Sequence, residues 1–115
     1  MSDDEREAYV ESVLRVVEAI PPGRVMAYGD VARAVAHSGP RRVGRVLSQH
    51  GGGVPWWRVV RADGGLPQSH RATAPEHYRA ERTPLRSGAA ELRVDMAAAA
   101  WNPGNNLLHT LPTRR

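Results

Sequence analysis

A mainly α-helical domain with a helix-turn-helix and a small β wing, winged-helix-like in outline, is the fold class this sequence predicts. Three observations lead there. Apolar residues recur at helical spacing through the first half of the chain, two short helical segments meet at a turn containing Gly39 and Pro40, and a β-branched stretch ends at an Asp-Gly pair. With 115 residues, 41% of them hydrophobic, the chain has the length of one domain and enough apolar side chains for a modest core.

The first helix is expected from about Asp3 to Ala19. Ser2 and Glu5 have the spacing of a capping box, and Tyr9, Val10, Val13, Leu14, Val17 and Ile20 repeat with a helical period. Pro21-Pro22-Gly23 stops it, because proline lacks the amide donor that the next turn needs. Val25-Met26-Ala27 reads as a short extended piece, and Tyr28-Gly29-Asp30 leads into a second helix that turns Val31, Ala32, Ala34 and Val35 inward. His37-Ser38-Gly39-Pro40 is a turn. A third helix, from about Arg41 to His50, buries Val43, Val46 and Leu47 and carries Arg41, Arg42, Arg45 and Gln49 on its other face. Gly44 weakens this helix and is tolerable where another part of the chain packs closely.

Beyond it, Gly51-Gly52-Gly53 is expected to be a flexible loop, Val59-Val60 extended, and Asp63-Gly64 the turn of a hairpin that forms the wing. Pro67 to Ala74 reads as a loop, followed by a helix starting at Thr73 or Pro75, running to about Arg82 and carrying Tyr78. Leu92-Arg93-Val94 is a short strand and Asp95 to Ala100 a helical stub. The domain is expected to span residues 1–101, with 102–115 as a flexible tail.

Composition narrows the function. The net charge is +4, all sixteen basic residues are arginine, and arginine's planar fork suits phosphate and base recognition. An arginine-lined helix face is equally an ordinary solvated face, so charge alone leaves both readings open. The absence of cysteine removes disulfides, zinc thiolates and thiol nucleophiles together. His37, His50, His70, His77 and His109 show no zinc-site spacing, and neither a phosphate loop, a dinucleotide fingerprint nor a serine nucleophile elbow is present, so no metal and no cofactor are expected. No apolar run is long enough to span a membrane, and Met1 to Arg6 is polar and acidic, unlike a signal peptide. A cytoplasmic monomer is expected.

Four ordered motifs carry a more specific message. Ile20-Pro21-Pro22-Gly23-Arg24-Val25, Tyr28-Gly29-Asp30-Val31-Ala32, Arg41-Arg42-Val43-Gly44 and Pro55-Trp56-Trp57-Arg58-Val59 resemble, at near-family spacing, the DNA-binding domain of the O6-alkylguanine-DNA alkyltransferases. The resemblance covers roughly residues 5–70 and implies that family's C-terminal helix-turn-helix domain. It also carries a departure. Trp56 stands where the family has its nucleophilic cysteine, and Trp57 stands where it has the activating histidine. Alkyl transfer requires a thiolate and a base to generate it, whereas indole offers an N–H donor and a π face. Trp in place of the cysteine is the mark of the alkyltransferase-like proteins, although their usual motif keeps the histidine.

The resemblance implies a DNA-damage sensor rather than an enzyme: a protein that flips O6-alkylguanine out of duplex DNA and hands it to nucleotide excision repair, with a UvrA-type sensor as partner. It assigns Tyr28 to the phosphate 3′ of the target, Arg41 to the gap the nucleotide leaves, and Arg42 and Arg45 to phosphates, with the recognition helix in the minor groove. The lesion pocket is expected to involve Trp56, Tyr28, Arg58, Val59 and Arg71. Arg58 reads equally as a loop-holding residue, Trp57 as largely structural, and Arg61 as a contact to lesion or phosphate. The competing reading is a helix-turn-helix transcription regulator of undamaged DNA, which predicts preference for one sequence.

Overall fold

The computed structural model describes residues 2–35, 39–88 and 91–103; the turn expected at His37-Ser38 and the tail beyond Pro103 lie outside the described residues. Helix α1 spans Asp3–Ala19. Its capping box forms as expected: the Glu5 amide donates to the Ser2 hydroxyl at 3.2 Å, and the Glu5 carboxylate accepts from Ser2. Asp3, Asp4 and Glu5 in the first turn complement the positive end of the helix dipole. The inner stripe is Tyr9, Val13, Val16 and Val17.

Strand β1 is Met26–Ala27, and α2 follows without a break over Tyr28–Ala34. Helix α3, Pro40–His50, begins with its proline at the first turn, where the missing amide has no helical acceptor to lose. It buries Val43, Val46 and Leu47 against Val31 and Ala32 of α2 and Val13, Val16 and Val17 of α1. These are the helices of the expected pair, and burial of their apolar stripes holds it together at roughly 1.5–3 kcal/mol per large side chain.

After α3 the chain departs from expectation in two places. Gly51–Gly53 forms a 3-10 turn that extends the end of α3 instead of a loose loop; Gly51 is buried and the Val54 amide closes the turn onto its carbonyl at 3.2 Å. Strand β2, Val59–Val60, does not fold back as a hairpin. It lies parallel to β1, pairing Met26 with Val59 and Ala27 with Val60. The Asp63-Gly64 segment is a tight turn, with the Gly64 amide donating to Arg61 O, and it is sealed by the Val94 amide on Gly64 O at 2.9 Å. Gly64 has φ +84°, and a Cβ there would lie 2.1 Å from Val94 O, so only glycine fits. The small β element is therefore a two-stranded parallel sheet with isolated bridges at Val25–Ala100 and Leu85–Val94.

Alternation along this short ladder divides the interior. Met26 and Val59 face the helix-pair core; Val25 and Val60 face a second cluster with Leu66, Ala74, Tyr78, Val94 and Ala99. Helix α4, Ala74–Glu81, supplies Ala74 and Tyr78 and ends at Arg82, which takes the left-handed conformation at φ 59°. Helix α5, Met96–Ala99, adds Ala99. Trp56 and Trp57 pack on this second cluster and Trp101 on the first. No described helix is long and apolar enough to cross a membrane.

Candidate nucleic-acid interface

Tyr28 is the first residue of α2, placed by β1 at the end of the parallel ladder. Its ring edge comes within 3.9 Å of the position a Cβ on Gly44 would occupy, an ordinary van der Waals distance, so α2 and α3 meet there without the contact requiring a glycine. The phenol is half-buried. Burial pushes its pKa up to about 12, against a smaller opposing pull from the Arg61 guanidinium, so at neutral pH it is an uncharged hydrogen-bond donor.

On α3, Arg41 and Arg45 are exposed, and among the described residues neither side chain has a hydrogen-bond or salt-bridge partner. Helical periodicity sets Arg41, Gly44 and Arg45 on one face, the face of α3 that meets Tyr28 at Gly44. Arg42, expected beside them, turns away. Its guanidinium lies 4.3 Å over the Tyr9 ring of α1, a cation–π contact that ties the two helices together.

The second part is a 3-10 turn over Trp56–Arg58, set by Pro55 and closed by the Arg58 amide on Pro55 O at 3.0 Å. Glu81 anchors it from α4. Its carboxylate accepts from Trp57 Nε1 at 3.0 Å, from Arg58 Nε at 3.0 Å, and from the Gly23 amide at 3.2 Å; Arg58 also donates to Ile20 O at 2.9 Å. Burial works to raise the Glu81 carboxyl, but the donors from Arg58, Gly23 and Trp57 outweigh it and hold the pKa below the ordinary range. Tyr78 donates its hydroxyl to Trp57 O at 2.7 Å, and burial raises that phenol strongly.

This network revises three expectations. Arg58 is only 13% exposed and committed to Glu81 and Ile20 O, so it holds the turn. Val59 is wholly buried in the helix-pair core, with no surface to offer a base. Arg71 is exposed and pairs with Glu91 at 3.5 Å. The rings that meet Trp56 are His70 at 4.5 Å, Trp57 at 5.6 Å and His77 at 5.7 Å, between centroids. His77 also stacks flat on Trp57, at 3.6 Å and 7°. Trp57 is thus fixed by a stack, a hydrogen bond and its own carbonyl, the structural part expected of it.

His70 Nδ1 is buried without a partner among the described residues, and burial lowers the imidazole's pKa, so this ring sits neutral beside Trp56 at physiological pH. Neither His70, His77 nor Glu81 stands out by composition. One signal was available: His77 and Glu81 are four apart on α4, so a helix that shows one to the tryptophans shows both. A concavity of about 400 Å³ opens on the Trp57 side of the turn, between Glu18, Gly52, Gly53, Val54, Pro55, Trp57 and Arg58. Trp56 is not among its walls. No group of three or more His, Cys, Asp or Glu suited to a metal occurs among the described residues.

A helix pair with Arg41 and Arg45 exposed on its second helix and without a side-chain partner among the described residues, set beside an aromatic turn, defines a nucleic-acid-binding domain of the helix-turn-helix class. Residues 8–83 match the family model described as 6-O-methylguanine DNA methyltransferase, DNA binding domain. The chain belongs to that family, in its alkyltransferase-like branch. It is 31% identical over 105 residues to the DNA base-flipping protein of Escherichia coli (strain K12), an alignment covering 86% of this chain and 78% of that protein. The DNA base-flipping protein of Vibrio parahaemolyticus is 31% identical over 63 residues, 52% of this chain and 63% of that protein. Among solved structures, S. pombe Atl1 in complex with damaged DNA containing O6-carboxymethylguanine aligns with a TM-score of 0.75 and 25% identity, over 90% of this chain and 100% of that one. A further S. pombe ATL–DNA complex aligns equally well.

Proposed function

We propose that this chain recognises O6-alkylated guanine in duplex DNA, turns the nucleotide out of the helix, and holds it unrepaired until nucleotide excision repair takes over, with a UvrA-type damage sensor as the receiving partner. The observation that carries the reading is the tryptophan pair at Trp56-Trp57 on an alkyltransferase DNA-binding fold in a chain without a single cysteine. The fold is kept where DNA is bound, and the sulfur that would accept the alkyl group is missing. The family's base-flipping relatives and the Atl1 complex with an O6-carboxymethylguanine lesion support the same reading.

The roles follow from position. Extracting a base costs a few kcal/mol, least where pairing is already damaged, and O6-alkylation damages it. Tyr28, a neutral donor at the head of α2, presses on the backbone of the rotating nucleotide. Arg41, exposed in the first turn of α3 and without a side-chain partner among the described residues, enters the stack in its place, and Arg45 meets phosphate. Trp56 stacks against the base; a base–aromatic stack of this kind is worth ~1–3 kcal/mol.

The test is a pair of titrations at one fixed salt concentration, with duplexes containing guanine or O6-methylguanine. Tighter binding to the modified duplex is expected, and a labelled methyl group should stay on the DNA. Equal affinities would refute lesion recognition, and label on the protein would refute the absence of transfer.

A further inference from the structure

We propose that Arg61 and Tyr28 together hold one phosphodiester of the bound strand, as a two-donor cradle at the open end of the parallel ladder. The inference rests on the DNA-binding reading above and adds a residue that reading leaves unused. Register makes the pairing. Met26 pairs with Val59 and Ala27 with Val60, so Tyr28 and Arg61 each follow directly on the last paired residue of its strand, at the same end of the ladder. Their proximity is also electrostatic, since the Arg61 charge acts on the Tyr28 phenol.

Arg61 is built to carry an uncompensated charge. Its side chain is exposed and without a hydrogen-bond or salt-bridge partner among the described residues. The nearest carboxylate in sequence, Asp63, is taken: it accepts from the Gly65 amide at 2.8 Å and pairs with Arg93. The backbone at Arg61 is fixed, its amide donating to Gly65 O at 2.9 Å and its carbonyl accepting from Gly64 at 2.8 Å. That turn is fastened in turn to Val94. A guanidinium on a rigid stem beside a protonated phenol offers two kinds of donor to one phosphate, and a charge-assisted bond of this sort is about twice as strong as a neutral one. Arg41 and Arg45 share the face of α3 that meets Tyr28 at Gly44, which extends the positive face from α3 onto the sheet end.

The experiment uses the intact chain and its Arg61→Ala, Arg61→Lys, Tyr28→Phe and Arg61→Ala/Tyr28→Phe variants. Each is titrated with undamaged and O6-methylguanine duplexes over a range of salt, with melting temperature as the control for folding. Arg61→Ala is expected to weaken binding about tenfold near 0.1 M salt and to reduce the slope of log K against log salt by about 0.9, the loss of one phosphate contact. Arg61→Lys should keep the parental slope. Tyr28→Phe should cost less in the Arg61→Ala background than in the parent, because one phosphate is shared. A parental slope in Arg61→Ala, or strict additivity with Tyr28→Phe, overturns the cradle. If the parent fails to distinguish the two duplexes, lesion recognition falls, while the slope on undamaged duplex still decides the cradle.

Discussion

Arg45 and Arg58 are the same residue in opposite circumstances. On α3, Arg45 stands in solvent with no described partner, whereas Arg58 in the tryptophan turn is 13% exposed and bound to Glu81 and Ile20 O. The difference lies in what the neighbouring element supplies. Helix α4 delivers a carboxylate under the turn, and the guanidinium becomes a strut. Nothing described delivers one to Arg45, Arg41 or Arg61, and their charge remains available to a polyanion. An arginine count says little about DNA binding until the carboxylates have been placed.

The largest expected effect breaks the strut. Arg58→Ala leaves Glu81 nearly buried with its main cation gone, and should cost about 3 kcal/mol of stability in denaturant unfolding. A change below about 0.5 kcal/mol would make Arg58 a surface residue after all. Next comes Arg41→Ala: if Arg41 fills the flipped nucleotide's place as proposed, binding to O6-methylguanine duplex is expected to weaken about tenfold through loss of the side chain that offsets lost stacking, with the melting temperature unchanged. Parental affinity would remove Arg41 from the flipping step.

Acid should separate the two regions further. Glu81 has a folded pKa below its unfolded value of about 4.3, so its contribution is fully present above that value and is lost as pH falls through the folded one. Unfolding followed at pH 7 and near pH 3 should show this loss, and Glu81→Gln should flatten it; an unchanged pH dependence in Glu81→Gln assigns acid sensitivity elsewhere. The smallest effect belongs to Arg45→Ala. Stability should stay within about 0.5 kcal/mol of the parent, and the salt slope should fall by about 0.9. A full-size slope would show that Arg45 touches no phosphate.

The helix-pair half was legible because its signals are local. The Ser2–Glu5 box, the Pro21-Pro22-Gly23 stop and the Val43, Val46, Leu47 stripe each lie within a turn or two of what they determine. The small sheet was misread because Asp63-Gly64 is a strong local hairpin signal, while the strand that pairs with Val59-Val60 comes from before α2. Gly51–Gly53 was misread because glycine's freedom suggests a loose loop, and here packing holds it in a tight turn. The site divides the same way. Tyr28, Arg41 and Trp56 could be named from motifs. The fate of Arg42 depends on Tyr9 in another helix, and that of Arg58 on Glu81 in another, so neither can be read from the neighbouring sequence.

The flat stack of His77 on Trp57 gives the molecule an optical signal of its own. Imidazole against indole is an excited-state quencher, and two of the three tryptophans sit in this one turn. Any occupant that slides between those rings, or tilts the helix bearing His77, should brighten or dim intrinsic emission, so the native chain can report what it holds without a dye.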